Sequence, residues 1–397
     1  VLDRFYTAPI STPTRAGLMT GRYPNRFGIR TTVIPPWRED GLDENEETLA
    51  DMLARNGYSN RAIIGKWHLG HTRKVHYPIN RGFSHFYGHL NGAIDYFDHM
   101  REGELDWHND WETCYDKGYS TELITQEAVR CINTYEKEGP FLLYVAYNAP
   151  HTPLQAQEKD IELYCDDFGS LTPKEQKRVT YQAMVSCMDR GIGTIVDALK
   201  KKGIMDNTFL IFFSDNGPAG VPGSSSGKLR GRKFDEWDGG VRVPAVFYWK
   251  RAESNYKNLS SQVTGFVDIV PTLKELVGDK NRPERAYDGI SILPLLIGST
   301  SCIDRNFYLG CGAVVNKDYK LIRKGRKPGL NLPQDFLVDY QTDPYEKKNA
   351  SNGNEQIVRS LYQVALKYDT ITPCLPEIPY GKGREGFKAP VEWKVTR

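Results

Sequence analysis

A chain of 397 residues, 39% of them hydrophobic, can bury a large core, and its length allows two or three units. Its 52 Lys and Arg nearly balance 50 Asp and Glu, so no net field favours nucleic acid or a membrane surface as partner. No apolar run approaches the roughly 18 to 20 residues of a spanning helix, while 23 Tyr, 16 Phe and 7 Trp supply core volume and flat faces suited to sugar rings.

Along the chain, Glu47–Asn56 places Leu49, Met52 and Leu53 on one helical face and stops at Gly57. Arg61–Gly65 reads as a short strand, Thr121–Tyr135 as a helix, and Phe141–Tyr147 as a buried strand ending at Asn148-Ala149-Pro150. Pro173–Lys202 keeps a helical period through Val179, Met184, Met188, Ile192, Ile195 and Leu199. Thr208–Phe213 and Val243–Trp249 are further strands, Gly217–Gly227 is a Gly/Ser-rich loop, and Val267–Leu276 is a helix with Pro271 in its first turn. Strands alternating with helices predict an α/β sheet covered on both faces. After residue 300 the pattern changes to short antiparallel strands (Phe307–Val315, Tyr319–Arg323, Phe336–Tyr340) and a closing helix, Glu355–Tyr368. The expected division is a catalytic α/β domain over 1–299 and a smaller subdomain over 300–397. Seven cysteines show neither C-x-x-C nor zinc spacing. The odd count leaves at least one thiol unpaired, and Cys302 with Cys311 is a candidate bridge that spacing does not decide. Asn258 and Asn349 begin Asn-x-Ser sequons.

Five segments carry potential chemistry. Ser11-Thr12-Pro13-Thr14-Arg15, followed by Thr20-Gly21-Arg22, reads on its own as a Ser/Thr/Pro helix start. Gly65-Lys66-Trp67-His68-Leu69-Gly70 places a cation and an imidazole two residues apart behind a strand, and His151 follows the next buried strand. Asp215-Asn216-Gly217 ends a third strand with two oxygen ligands, a pattern that also forms plain turns. Leu229-Arg230-Gly231-Arg232-Lys233 leads into Gly239-Gly240-Val241-Arg242-Val243-Pro244. Singly these are a capped helix, a solvated loop, a structural histidine, a turn and a basic loop. Yet several of them stand at carboxyl ends of strands, where open α/β sheets gather function.

In this order and spacing, residues 3 to 350 resemble the type I sulfatases. They are most similar to the arylsulfatase B-like (N-acetylgalactosamine-4-sulfatase-like) enzymes, through Arg81-Gly82-Phe83, Tyr87-Gly88, Asp95-Tyr96 and Gly231-Arg232-Lys233. The resemblance implies an alkaline-phosphatase-like sulfatase fold, with a large mixed central sheet flanked by helices and a smaller C-terminal antiparallel subdomain. It implies a sulfuric ester hydrolase in which Ser11 is oxidised to Cα-formylglycine, whose hydrate attacks sulfur. In the roles the resemblance implies, Ca²⁺ is held by Asp215, Asn216 and position 11, Arg15 holds the nucleophile, and Lys66 and Lys233 neutralise the sulfate. His151 protonates the leaving oxygen, and His68 takes the proton as sulfate departs. Leu337-Val338-Asp339 with Asp343-Pro344 matches a structural element of the family, from which Val338 and Tyr340 depart.

The implied substrate is a sulfated carbohydrate, of glycosaminoglycan or algal type. Tyr96, Phe97, His99, Trp107 and His108 are expected to line a sugar subsite. Ser at position 11, where animal enzymes carry Cys, implies a bacterial Ser-type enzyme matured by a radical-SAM maturase, in the periplasm or secreted. Alternatives are a phosphonate or phosphodiester hydrolase of the same superfamily, and an inert sugar-binding relative. The family opens with a strand bearing an Asp-Asp metal pair ahead of the segment that resembles Val1-Leu2-Asp3-Arg4. Several tens of further N-terminal residues carrying that pair are therefore expected.

Overall fold

The computed structural model describes residues 2–255, 261–326 and 330–395, so the Asn258 sequon lies outside the described residues. The chain gathers into two units that interleave in sequence: Val1–Val33, Phe209–Gly220 and Ser225–Pro379 in one, and Ile34–Thr208, Val221–Ser224 and Tyr380–Arg397 in the other.

The second unit is built on a mixed five-stranded sheet. Its strands run in the order Glu112–Thr113, His108–Asn109, His85–His89, Asn60–Lys66, Phe141–Ala146. The last three are parallel, with Ile64 level with Tyr87 on one side and Val145 on the other, so their carboxyl ends share one edge. The parallel pairs demand close backbone approach. Gly65 has φ +106°, and a Cβ there would lie 2.2 Å from the Ala146 carbonyl oxygen. Ser120–Thr134 packs Ile124, Ala128 and Cys131 against Ala62 and Ile64. Pro173–Lys202 forms as its sequence directs: Thr172 and Glu175 make a capping box, Pro173 occupies the first turn, and Gly203 closes the helix at φ +73°.

In the first unit, Phe5–Tyr6 pairs antiparallel with Arg242–Val243 and parallel with Thr264–Gly265, while Leu210–Phe213 pairs antiparallel with Ala245–Tyr248. A four-stranded antiparallel sheet follows in simple order: Phe307–Gly310, Ala313–Val315, Tyr319–Ile322 and Phe336–Asp339. Helix Glu355–Asp369 packs Leu361 and Ala365 onto its Val314, Leu321 and Leu337 face. Phe307–Val315 is therefore two strands rather than one. Cys311 and Gly312 both take positive φ (45° and 73°), a tight reversal that an apolar run conceals. Cys302 is exposed and Cys311 buried, and no disulfide joins them. The α/β class, the mixed sheet and the separate small antiparallel sheet match expectation.

Candidate active site

Ser11 is the first residue of the Ser11–Thr20 helix, every residue of which is buried. First-turn amides and the helix dipole make that end electropositive. Thr14 anchors it, donating from Oγ1 to the Asp215 carbonyl at 2.7 Å and accepting from the Ala8 amide at 3.0 Å. The Asp215-Asn216 turn leaves the Leu210–Phe213 strand at its carboxyl end. Ser11 Oγ donates to Asn216 Oδ1 at 3.3 Å, and Arg15 Nη2 stands 3.2 Å from Asp215 Oδ2. Asn216 Nδ2 donates to the Gly217 carbonyl at 2.9 Å, which turns Oδ1 toward Ser11. Gly217 has no substitute, since a Cβ would fall 1.9 Å from the Gly239 oxygen.

The Lys233 amide donates to the Pro218 carbonyl at 2.8 Å, tying its loop to this turn. Burial lowers the Lys233 pKa from the usual lysine value; Asp215 opposes the shift and Arg15 adds to it. Ser11, Arg15, Asp215 and Asn216 are thus brought into one hydrogen-bonded group, with Lys233 coupled electrostatically to it. Its oxygen donors (the Asp215 carboxylate, Asn216 Oδ1 and Ser11 Oγ) suit a hard divalent cation such as Ca²⁺. They number three of the six to eight oxygens Ca²⁺ takes. A separate cluster in the other unit, His85, Glu127 and Cys131, is an ion network: His85 sits 2.9 Å from Asp110 and 2.6 Å from Glu127, which also accepts from Arg130.

Lys66, His68 and His151 belong to the second unit, at the shared carboxyl edge of its parallel strands. Lys66 ends the Asn60–Lys66 strand and is buried. His68 takes a positive φ of 61°, with its amide donating to Leu90 O at 3.0 Å and its Nε2 lying 3.2 Å from Ile34 O. A carbonyl only accepts, so Nε2 carries the proton and Nδ1 keeps the lone pair when the ring is neutral. By the same reasoning His151, with Nδ1 2.8 Å from Thr152 O, keeps Nε2 as its exchangeable position.

The expected aromatic sugar subsite is corrected by burial. Tyr96 and Trp107 are wholly enclosed, and His99 and His108 are buried too. His99 stacks on Trp107 at 4.5 Å, and His108 lies 3.1 Å from the buried Asp106. Of the five, only Phe97 is exposed. Tyr96 instead positions the histidine loop, donating to both Asn148 O (2.9 Å) and His151 O (2.8 Å). Composition and period could not reveal this link across 55 residues. Gly92 was missed as well. A Cβ there would meet His68 Cε1 and Nε2 at 2.5 Å, so glycine leaves room for the imidazole. Behind the Lys233 loop lies a third unanticipated feature. Lys320 is fully enclosed between Asp238 (2.9 Å) and Glu346 (2.8 Å), and Arg230 donates to the Glu346 carbonyl at 2.7 Å.

Residues 1–279 match the sulfatase family model. The chain belongs to the sulfatase family. It is 35% identical over 301 residues to mouse (Mus musculus) arylsulfatase J, covering 73% of this chain and 49% of the relative. It is 31% identical over 321 residues to human (Homo sapiens) N-acetylgalactosamine-6-sulfatase, covering 75% and 59%. The chain thus spans about half the length of the curated relatives it matches. Among solved structures, Ps i-CgsB in complex with k-i-k-neocarrahexaose superimposes with a TM-score of 0.83 at 29% identity, over 95% of this chain and 86% of that one. Among the described residues no helix of this sulfatase-family chain is long and apolar enough to cross a membrane.

Proposed function

We propose that this chain hydrolyses sulfate esters of a carbohydrate, with Ser11, matured to formylglycine, as nucleophile and Ca²⁺ at Asp215, Asn216 and position 11. The observation that carries the reading is the convergence of Ser11 Oγ, Asn216 Oδ1 and the Arg15–Asp215 pair at the buried helix start. When bound, the cation would polarise sulfate oxygens and favour ionisation of the nucleophile, and the aldehyde hydrate would supply two hydroxyls on one carbon.

The remaining roles belong to side chains. Arg15 orients the nucleophile's segment through Asp215. Lys66 and Lys233 neutralise charge on the transferring group, a preorganised electrostatic contribution. As the imidazolium, His151 gives its Nε2 proton to the leaving sugar oxygen, and the neutral His68 takes one at Nδ1 as sulfate leaves. Each proton transfer contributes about 10²–10⁴-fold.

The substrate class follows from relatives named for N-acetylgalactosamine-6-sulfate and from a structural neighbour solved with an oligosaccharide. A 4-O-sulfated N-acetylgalactosamine is the first candidate and a sulfated algal galactan the second. A radical-SAM maturase acting on Ser11 and a periplasmic or secreted location complete the reading.

Mass spectrometry of the peptide containing Ser11 should show the loss of two hydrogens, and the matured protein should release sulfate from one of these saccharides. An unmodified Ser11 in protein from a host with the maturase, or turnover of phosphodiesters alone, would overturn the reading.

A further inference from the structure

Phe234 follows Lys233 with a φ of +79°, a left-handed conformation that bulky L residues avoid. Core packing does not explain it, because the side chain is 61% exposed. The loop enforces the conformation. The Phe234 amide donates to Pro9 O at 2.9 Å, the Lys233 amide to Pro218 O at 2.8 Å, and the Asp235 amide to Arg232 O at 2.9 Å. The Arg232 amide donates to Asp235 Oδ2 at 3.1 Å. Gly240 packs beneath, where a Cβ would lie 2.1 Å from Asp235 O and 2.5 Å from Arg232 O. Glycine at 234 would satisfy this backbone without strain, yet the position carries a large ring turned to solvent. Strain that the surroundings enforce and packing does not reward marks functional positions.

The ring's place indicates the function. Its amide is bonded to Pro9, two residues before Ser11, and Lys233 Nζ lies 5.8 Å from its centroid. Its backbone is therefore fixed to the segment that leads into Ser11, with the ring beside Lys233, one of the groups that would address the sulfate. The C–H face of a pyranose is apolar and weakly electropositive, and an aromatic face carries the complementary negative potential.

We propose that Phe234 is the platform on which the sugar ring bearing the sulfate stacks, and hence a specificity-determining residue. The assignment rests on the sulfatase reading above and deepens it.

Phe234→Gly and Phe234→Trp in the matured full chain provide the test, with a sulfated galactan oligosaccharide and a 4-O-sulfated N-acetylgalactosamine saccharide as probes. With glycine, KM and the calorimetric Kd for the turned-over saccharide should rise about fivefold, the size of an aromatic stacking contact. Inhibition by inorganic sulfate, which has no ring, should stay unchanged, and Tm should not fall, because strain is relieved. Tryptophan should retain saccharide affinity. The platform is overturned if KM and Kd stay within twofold of wild type, if sulfate inhibition weakens in parallel, or if Phe234→Gly lowers Tm by several degrees. Binding through Phe234 without sulfate release would support the platform and overturn the hydrolytic reading. Turnover independent of Phe234 would overturn the platform alone, and a wild type with neither binding nor turnover would overturn both.

Discussion

Replacing Lys320 with methionine tests how the Lys233 loop is held in place. Lys320 Nζ donates to Asp238 Oδ1 and Glu346 Oε1 at 2.9 and 2.8 Å, and all three side chains are fully enclosed. The Asp238 amide in turn donates to Glu346 Oε2 at 2.7 Å, so the cluster joins the Tyr319–Ile322 strand to the segment that follows Lys233. Removing one partner of a buried ion pair costs about 3–5 kcal/mol, because the other charge is left uncompensated. Here Asp238 keeps Tyr340 at 2.9 Å and Arg242 at 3.4 Å, so the stranded charge is mainly that of Glu346.

Burial pushes Glu346 up from 4.5 to about 7. Lys320 is one of the groups that hold this pKa down, so its removal raises Glu346 further, and the carboxyl sheds its charge more readily at about pH 6 than at about pH 8. Lys320→Met should therefore lose about 3–5 kcal/mol near pH 8 and clearly less near pH 6, read as urea midpoints by tryptophan fluorescence. Glu346→Gln should act oppositely. A carboxyl whose folded pKa lies above its unfolded value binds more protons when folded, so its contribution to stability falls as pH rises from 4.5 to about 7. At 1.36 kcal/mol per pH unit that is about 3 kcal/mol, a slope the glutamine variant should lack. A Lys320→Met loss below about 1 kcal/mol near pH 8, or an equal loss at both pH values, would refute the reasoning.

Lys233→Ala should cut kcat by about 10²–10³-fold with an unchanged melting temperature, because its loop truncation opens no core cavity; a folded variant with full turnover would remove Lys233 from the mechanism. Tyr96→Phe deletes both hydrogen bonds to the His151 loop. It should cost about 1–3 kcal/mol of stability and lower kcat by loosening His151, whereas a stability loss with kcat intact would make Tyr96 purely structural. Gly92→Ala should displace His68 and reduce turnover far more than saccharide affinity, since the new Cβ would overlap the imidazole. Asp215→Ala should weaken calcium binding by calorimetry and remove the carboxylate that lies 3.2 Å from Arg15 Nη2. Calcium affinity equal to wild type would exclude Asp215 as a ligand.

The long helix over Pro173–Lys202 was legible from its apolar period, and the Thr-x-x-Glu box, first-turn proline and closing glycine that bound it are likewise local. The strand-end positions of Lys66, His68, His151 and Asp215-Asn216 were legible for a similar reason: apolar runs and turn residues lie next to them in sequence. Local signals failed wherever the deciding contact was distant. The reversal inside Phe307–Val315 is the exception, because its signal, Gly310-Cys311-Gly312, is itself local and turns the chain between Gly310 and Ala313. Tyr96, Trp107, His99 and His108 carry chemistry that suits a sugar, and only their enclosure shows that they serve the core and the His151 loop. Lys320 looks like an ordinary surface lysine until Asp238 and Glu346, 82 and 26 residues away, close over it. The sequence by itself therefore determined the family, the α/β class and which residues stand at strand ends, since each is written in neighbouring residues. Tertiary structure alone decided which polar groups are buried and paired and which aromatic ring faces solvent, because burial depends on segments far apart in the chain.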